Sequence, residues 1–224
     1  MGTGRLSIVA TPIGNLGDLT FRALWNLKEC DAVYAEDTRV TLKLLNHYGL
    51  TKSVFRLDAA TEKKKAEEVT KRLEEGEHVV YVTDAGTPGI SDPGSRLVAS
   101  VRANLPEAKI DAVPGASALT AALSIAGIST DRFLFLGFLP HKKGRQTAIK
   151  EIAKCDIPVV LYESPHRIAK FLMELGKNAP ECRVTIAREI TKIHEEILTG
   201  NPMELVEKLK KGRKERGEFV VIVT

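Results

Sequence analysis

Short apolar runs alternate along this chain with amphipathic stretches, and glycine- or proline-rich segments separate them. Apolar runs bounded by turn residues read as buried strands, and apolar positions three or four apart read as helices. The first half predicts a strand at residues 5–10, a helix at 19–27, a strand at 31–35, a helix at 41–48 stopped by Gly49, and a strand at 53–57. A highly charged helix at 61–75 stops at Gly76; strand 79–82, a helix over about 94–104, strand 109–113 and a small-residue helix at 116–126 follow. Within helix 19–27, Phe21, Leu24 and, at the margin, Trp25 fall on the face expected to turn inward.

The second half predicts strands at 133–139, 159–162, 183–187, 195–199 and 218–223, with helices at 145–154 and 166–176. A last helix opens at Asn201-Pro202, where asparagine suits the cap and proline the first turn. Alternation of this kind argues for an α/β architecture. The chain divides into two α/β domains, residues 1–113 and 114–224.

The loops after the strands hold most of the chemistry-bearing side chains. The longest runs from Thr83 to Ser95, between an apolar strand and a helix, with three glycines and two prolines. Glycine lets backbone approach a ligand, and open α/β sheets bind ligands at the carboxyl ends of their strands. The loop carries neither Gly-x-Gly-x-x-Gly nor Gly-Lys-Ser/Thr, so dinucleotide and P-loop readings lack a motif. Comparable loops hold Thr11, Pro12, Gly14, Asn15 and Asp18; Glu36 to Arg39; Gly115 and Ser117; Glu163 to Arg167; and Arg188, Glu189 and Lys192. For any single loop, turn chemistry and helix capping explain the residues as well; their number favours a ligand cleft.

Composition narrows the classes. The net charge of +4 is too small to establish a nucleic-acid partner, although two basic clusters stand out. One is His141, Lys142, Lys143 and Arg145; the other is Lys208, Lys210, Lys211, Arg213, Lys214 and Arg216. Solvated surface charge is the plain alternative for both. Cys30, Cys155 and Cys182 are far apart and form no Cys-x-x-Cys pair, which supports neither a zinc site nor a disulfide framework and suits reduced thiols in a cytoplasm. No apolar run approaches the roughly 20 residues of a membrane span, so no membrane partner is expected. His166 lacks a second ligand at metal-binding spacing, and no metal is expected.

Five segments carry a resemblance. They are Leu6 to Asp18, Ala35-Glu36-Asp37-Thr38-Arg39, Thr83 to Gly94, Tyr162-Glu163-Ser164-Pro165-His166-Arg167, and Ala187-Arg188-Glu189-Ile190-Thr191-Lys192. Over nearly the whole chain the sequence resembles the ribosomal RNA small subunit methyltransferase I family. That family is a branch of the tetrapyrrole methylase superfamily, the class III S-adenosylmethionine methyltransferases. The resemblance implies two α/β domains with the cofactor cleft between them and a homodimer. It also implies S-adenosylmethionine-dependent 2′-O-methylation of a cytidine ribose in 16S ribosomal RNA of the 30S subunit. Family members commonly extend beyond the last strand, and any RNA contact made by such an extension is in doubt here.

The resemblance places cofactor binding on Asp84, Ala85, Gly86, Thr87, Ile90, Ala116, Ser117 and Ala118, and on the backbone around Leu139, Tyr162 and Ala187. A simple helix cap is the alternative for Ser117. Methylating a hydroxyl requires its proton to leave and its developing charge to be stabilised. Lys192, Glu195, Asp37 and Arg39 are the catalytic candidates; ion pairs that merely hold loops are an equal alternative for each. Pro12, Asn15, Arg39, Arg167, Lys142 and Lys143 are the candidates for contacting RNA. Phe138 and Tyr162 are loop-adjacent aromatics, with core packing as the favoured role. Two rival functions remain: a small-molecule methyltransferase acting on a tetrapyrrole, and a non-catalytic RNA-binding ribosome-assembly factor.

Overall fold

The computed structural model describes residues 3–58, 60–90, 92, 94–212 and 216–224, and forms two units, Met1–Ser117 and Ala118–Thr224. In the first, strands β1 (Arg5–Val9), β2 (Ala32–Ala35), β3 (Val54–Arg56), β4 (His78–Val82) and β5 (Lys109–Val113) make a parallel sheet in the order β3-β2-β4-β1-β5. Parallel strands need crossover helices, which cover both faces of the sheet. Here these are α1 (Phe21–Glu29), α2 (Thr38–His47), α3 (Glu62–Glu74) and α4 (Gly94–Asn104). Strand alternation sorts the core between the faces. Val9, Val33, Ala35, Val80 and Val82 pack against α1 and α2, and Leu6, Ala32, Tyr34, Val79 and Tyr81 pack against α3 and α4.

In the second unit, β6 (Leu134–Phe138), β7 (Val159–Glu163), β8 (Val184–Arg188), β9 (Glu196–Gly200) and β10 (Phe219–Val223) form a mixed sheet ordered β6-β7-β10-β8-β9. Only β6 and β7 run parallel; the other neighbours are antiparallel. Its helices are α5 (Ala118–Ile125), α6 (Arg145–Ile152), α7 (Ile168–Asn178) and α8 (Pro202–Lys211). The last begins as its sequence predicts: Asn201 Oδ1 accepts from the Glu204 amide at 2.9 Å, and the Glu204 carboxylate accepts from the Asn201 amide at 3.2 Å. Among the described residues, no helix is long and apolar enough to cross a membrane.

One helix is rotated from its expected setting. Thr20 caps α1 by accepting from the Ala23 amide at 3.0 Å, so the helix starts at Phe21 and buries Ala23, Asn26 and Leu27. Phe21 is 94% exposed and Trp25 59%. The expectation ranked positions by apolarity, whereas contact with a sheet selects the small Ala23 and the Leu27 one turn later.

A polar network lies between α1 and the amino ends of the strands. Ser7 is fully buried; its hydroxyl donates to Asp111 Oδ1 at 2.8 Å and lies 2.9 Å from His78 Nε2. An Arg5 guanidinium nitrogen lies 3.0 Å from His78 Nδ1. Burial, reinforced by the Arg5 charge, pushes the His78 pKa down. The unfolded chain therefore protonates His78 first, near its ordinary value of about 6.5. The network's contribution is present above that pH and is lost as pH falls through the folded value. Urea denaturation between about pH 5 and 8 should show the stability gap between wild type and His78→Gln narrowing toward acid; a gap independent of pH would contradict this.

Candidate active site

β1 and β4 are neighbours, yet the chain leaves β1 toward α1 on one face and β4 toward α4 on the other. Diverging connections open a crevice at the carboxyl ends of such a strand pair. Its floor is backbone. Thr11 and Gly86 exchange both main-chain hydrogen bonds, at 3.0 and 3.1 Å, and the Thr11 hydroxyl donates to the Thr83 carbonyl at 3.2 Å. Gly86 holds φ at +86°, and a β-carbon there would stand 3.2 Å from Ile13 Cγ2 and 3.4 Å from the Ala116 carbonyl oxygen. Both the conformation and the close approach call for glycine. The Thr87 hydroxyl ties this loop to the next, donating to the Ala116 carbonyl at 3.1 Å.

Carboxylates shape the loop from outside. Asp92 accepts from the amides of Gly89, Ile90 and Gly94 at 2.8, 3.2 and 3.1 Å. Ser91 and Pro93, also part of the sequence motif, lie outside the described residues. Asp84 accepts from the Asp37 amide at 2.9 Å, which joins the loops after β2 and β4. Burial, followed by the Asp84 charge, raises the Glu36 pKa. Asp37 is opposite in character: hydrogen bonds from the Arg39 side chain and amide hold it down at about 2. Asn15 accepts from the Gly17 amide at 3.0 Å, and Pro12 is buried beside Thr11.

In the second unit, Glu163 at the end of β7 is buried and gathers three donors: the Arg167 Nε at 2.6 Å, the Ser164 amide at 2.8 Å and the Arg145 Nη1 at 3.3 Å. Arg145, 4% exposed, also donates to Glu174 at 2.9 Å, and Arg167 Nη1 donates to the Leu139 carbonyl at 3.0 Å. These two arginines therefore face carboxylates and main chain. The network ties the turn after β6 to the turn after β7. Lys142 and Lys143, three and two residues before Arg145, are exposed.

The loop between β8 and β9 is strained. Glu189 and Thr191 hold φ at 52° and 68°, a conformation that costs a β-branched residue most. Lys192 Nζ donates to Glu189 and to Glu218, both at 2.9 Å. Gly217 admits this arrangement, since a β-carbon there would meet the Glu189 carboxyl carbon at 2.7 Å. Partial burial would lower the Lys192 pKa, but its two carboxylate partners outweigh burial and raise it. Glu195 accepts from the Thr191 amide at 2.6 Å.

Within the first unit the structure brings together Asp84, Ala85, Gly86, Thr87, Ala116 and Pro12, and pairs Asp37 with Arg39. In the second it places Lys192 and Glu195 in one loop, Leu139 and Tyr162 at the ends of β6 and β7, and Ala187 in β8. Phe138 and Tyr162 pack ring to ring at 5.5 Å. Arg213 and Lys214 of the second basic cluster lie outside the described residues. Sequence reasoning allowed the Glu189–Lys192 ion pair that the structure shows, but missed Glu218 as the second partner of Lys192 and Glu163 as the hub of a charge network. A buried-strand position ending in Glu was the one signal for the last. Among the described residues, no group of three or more His, Cys, Asp or Glu could hold a metal ion.

A family profile described as Tetrapyrrole (Corrin/Porphyrin) Methylases matches residues 5–206. The chain is 41% identical over 222 residues to the Ribosomal RNA small subunit methyltransferase I of Thermotoga maritima, covering 99% of this chain and 98% of that one. Two solved structures share the fold. A diphthine synthase superposes with a TM-score of 0.76 at 17% identity, covering 99% of this chain and 90% of that one. The Uroporphyrin-III C-methyl transferase from Thermus thermophilus, complexed with S-adenyl homocysteine, gives 0.66 at 17%, covering 98% and 97%.

Removing the hub of the Glu163 network should cost far more than removing a peripheral charge. Glu163→Gln leaves Arg145 with Glu174 alone and takes from Arg167 its carboxylate partner, and should lower the unfolding free energy by about 3 kcal/mol. Lys170, 64% exposed and 3.9 Å from Glu174, should contribute less than about 0.5 kcal/mol, as Lys170→Ala would show. Equal urea midpoints for the two variants would refute that ranking.

Proposed function

This chain belongs to the ribosomal RNA small subunit methyltransferase I branch of the tetrapyrrole methylase family, and on that premise we propose that it methylates the 2′-oxygen of a cytidine ribose in 16S ribosomal RNA. The observation that carries this is the near end-to-end similarity to the Thermotoga relative, 41% identical over 222 residues. The methyl donor is S-adenosylmethionine, which when bound supplies an electrophilic methyl group on a sulfonium sulfur.

The fit of that donor is tested by the Gly86 cradle, where a β-carbon would occupy space bordered by Ile13 and the Ala116 carbonyl. Asp84, Ala85, Gly86, Thr87 and Ile90, with Ala116, Ser117 and Ala118, offer main-chain groups rather than long side chains, which suits a ligand with adenine and amino-acid ends. A role for Leu139, Tyr162 and Ala187 rests on the resemblance. In this reading Arg167 acts on the Leu139 backbone, whose carbonyl it holds.

For the acceptor, Lys192 keeps its proton and stabilises negative charge developing on the ribose oxygen. Glu195, in the same loop as Lys192, is the carboxylate that receives the hydroxyl proton, whereas Asp37 is engaged by the Arg39 guanidinium and amide. Pro12 and Asn15 border the acceptor side, and Arg39, Lys142 and Lys143 meet phosphates, an interaction weakened by salt. A homodimer, implied by the resemblance, is read by light scattering.

Incubating the chain with unmodified 30S subunits and methyl-labelled donor, then mapping ribose methylation, tests the substrate. Label entering a porphyrinogen instead would favour the tetrapyrrole alternative. Lys192→Ala should lower kcat about 100-fold with donor affinity within about twofold. Because the Lys192 pKa is raised above its ordinary range, wild-type turnover should show no loss from this group up to about pH 9. Gly86→Ala should do the opposite of Lys192→Ala, raising the donor Kd in isothermal titration by about tenfold or more.

A further inference from the structure

The outer face of α1 carries two aromatics that no role described so far employs. Phe21 and Trp25 are separated by four residues, so both rings stand on one side of the helix, 94% and 59% exposed. Such area left in water is unfavourable and marks a contact surface more than a structural one. The exposed charges on this helix are Arg22, Lys28 and Glu29. Among the described residues, neither Arg22 nor Lys28 forms an ion pair.

The pair also stands beside the crevice. Thr20, the residue before Phe21, approaches Gly115 in the loop after β5 so closely that a β-carbon on Gly115 would lie 3.7 Å from Thr20 Cγ2. Aromatic faces flanked by free cations match the surface of an unpaired polynucleotide, whose bases stack and whose phosphates are anionic.

We infer that Phe21 and Trp25 form a stacking platform for unpaired bases of a single-stranded RNA, with Arg22 and Lys28 on its phosphates. This rests on the reading of the chain as an RNA methyltransferase, and adds that the target segment is gripped unpaired, outside the donor crevice.

Trp25 is the only tryptophan in the chain, so its emission reports on its own surface. A single-stranded cytidine-rich oligoribonucleotide should quench it saturably, the same strand in a duplex should do so weakly, and S-adenosylmethionine alone should not. Phe21→Ala alters an exposed ring and leaves the core intact. It should weaken half-saturation, and raise the KM for 30S subunits, by about five- to tenfold with donor affinity unchanged. Oligonucleotide binding seen by anisotropy without any change in Trp25 emission would overturn the platform. So would light scattering in which Phe21→Ala with Trp25→Ala splits a dimer, since the aromatics would then be a subunit interface. If wild type fails to methylate 30S subunits while single strands still quench Trp25, the substrate reading falls and the platform stands.

Discussion

The first unit depends on two backbone hydrogen bonds. Thr11 and Gly86 leave adjacent parallel strands and, before their chains part toward opposite faces, pair once in antiparallel fashion. Parallel neighbours would otherwise splay at this point, because their helices pull them to different sides of the sheet. The bridge holds the crevice floor while letting its walls diverge. It also explains the residue: only a position without a side chain reaches φ of +86° under Ile13 and the Ala116 carbonyl.

The second unit solves a similar problem with charge. Its turns after β6 and β7 are held by Glu163, Arg145, Arg167 and Glu174, all largely out of water. A buried charge network is a weak source of net stability, since desolvation offsets most of the attraction. What it supplies is geometry: three donors converge on one carboxylate, and Arg167 reaches from there to the Leu139 carbonyl. The strained loop at Glu189 and Thr191 follows the same pattern, with Lys192 bound on two sides by carboxylates.

Much of this was legible from residue order. Helix α4 and strand β5 lie at the residues their patterns predict, and Asn201-Pro202 opens α8 as a capping box. These features are local: a cap, a period, a breaker. What the sequence left open depends on partners far along the chain. Arg145 reads as part of a basic surface cluster, but Glu163 and Glu174, distant in sequence, draw it inside. Phe21 reads as core because it is large and apolar, but Thr20 sets where α1 begins and Ala23 sets which side meets the sheet. Lys192 stands out as a candidate by motif, while its partner Glu218 becomes visible only once β8 and β10 pair.

The Gly86 cradle has a bearing on how such proteins diversify. A recess bounded by carbonyls and amides is specified by the path of the chain, and most side-chain replacements around it leave that path intact. A ligand held there, as proposed for the methyl donor, is thereby insulated from drift in the surrounding side chains. The same chain path is carried by very different side chains in a diphthine synthase and in a uroporphyrin-III C-methyl transferase, each only 17% identical to this chain.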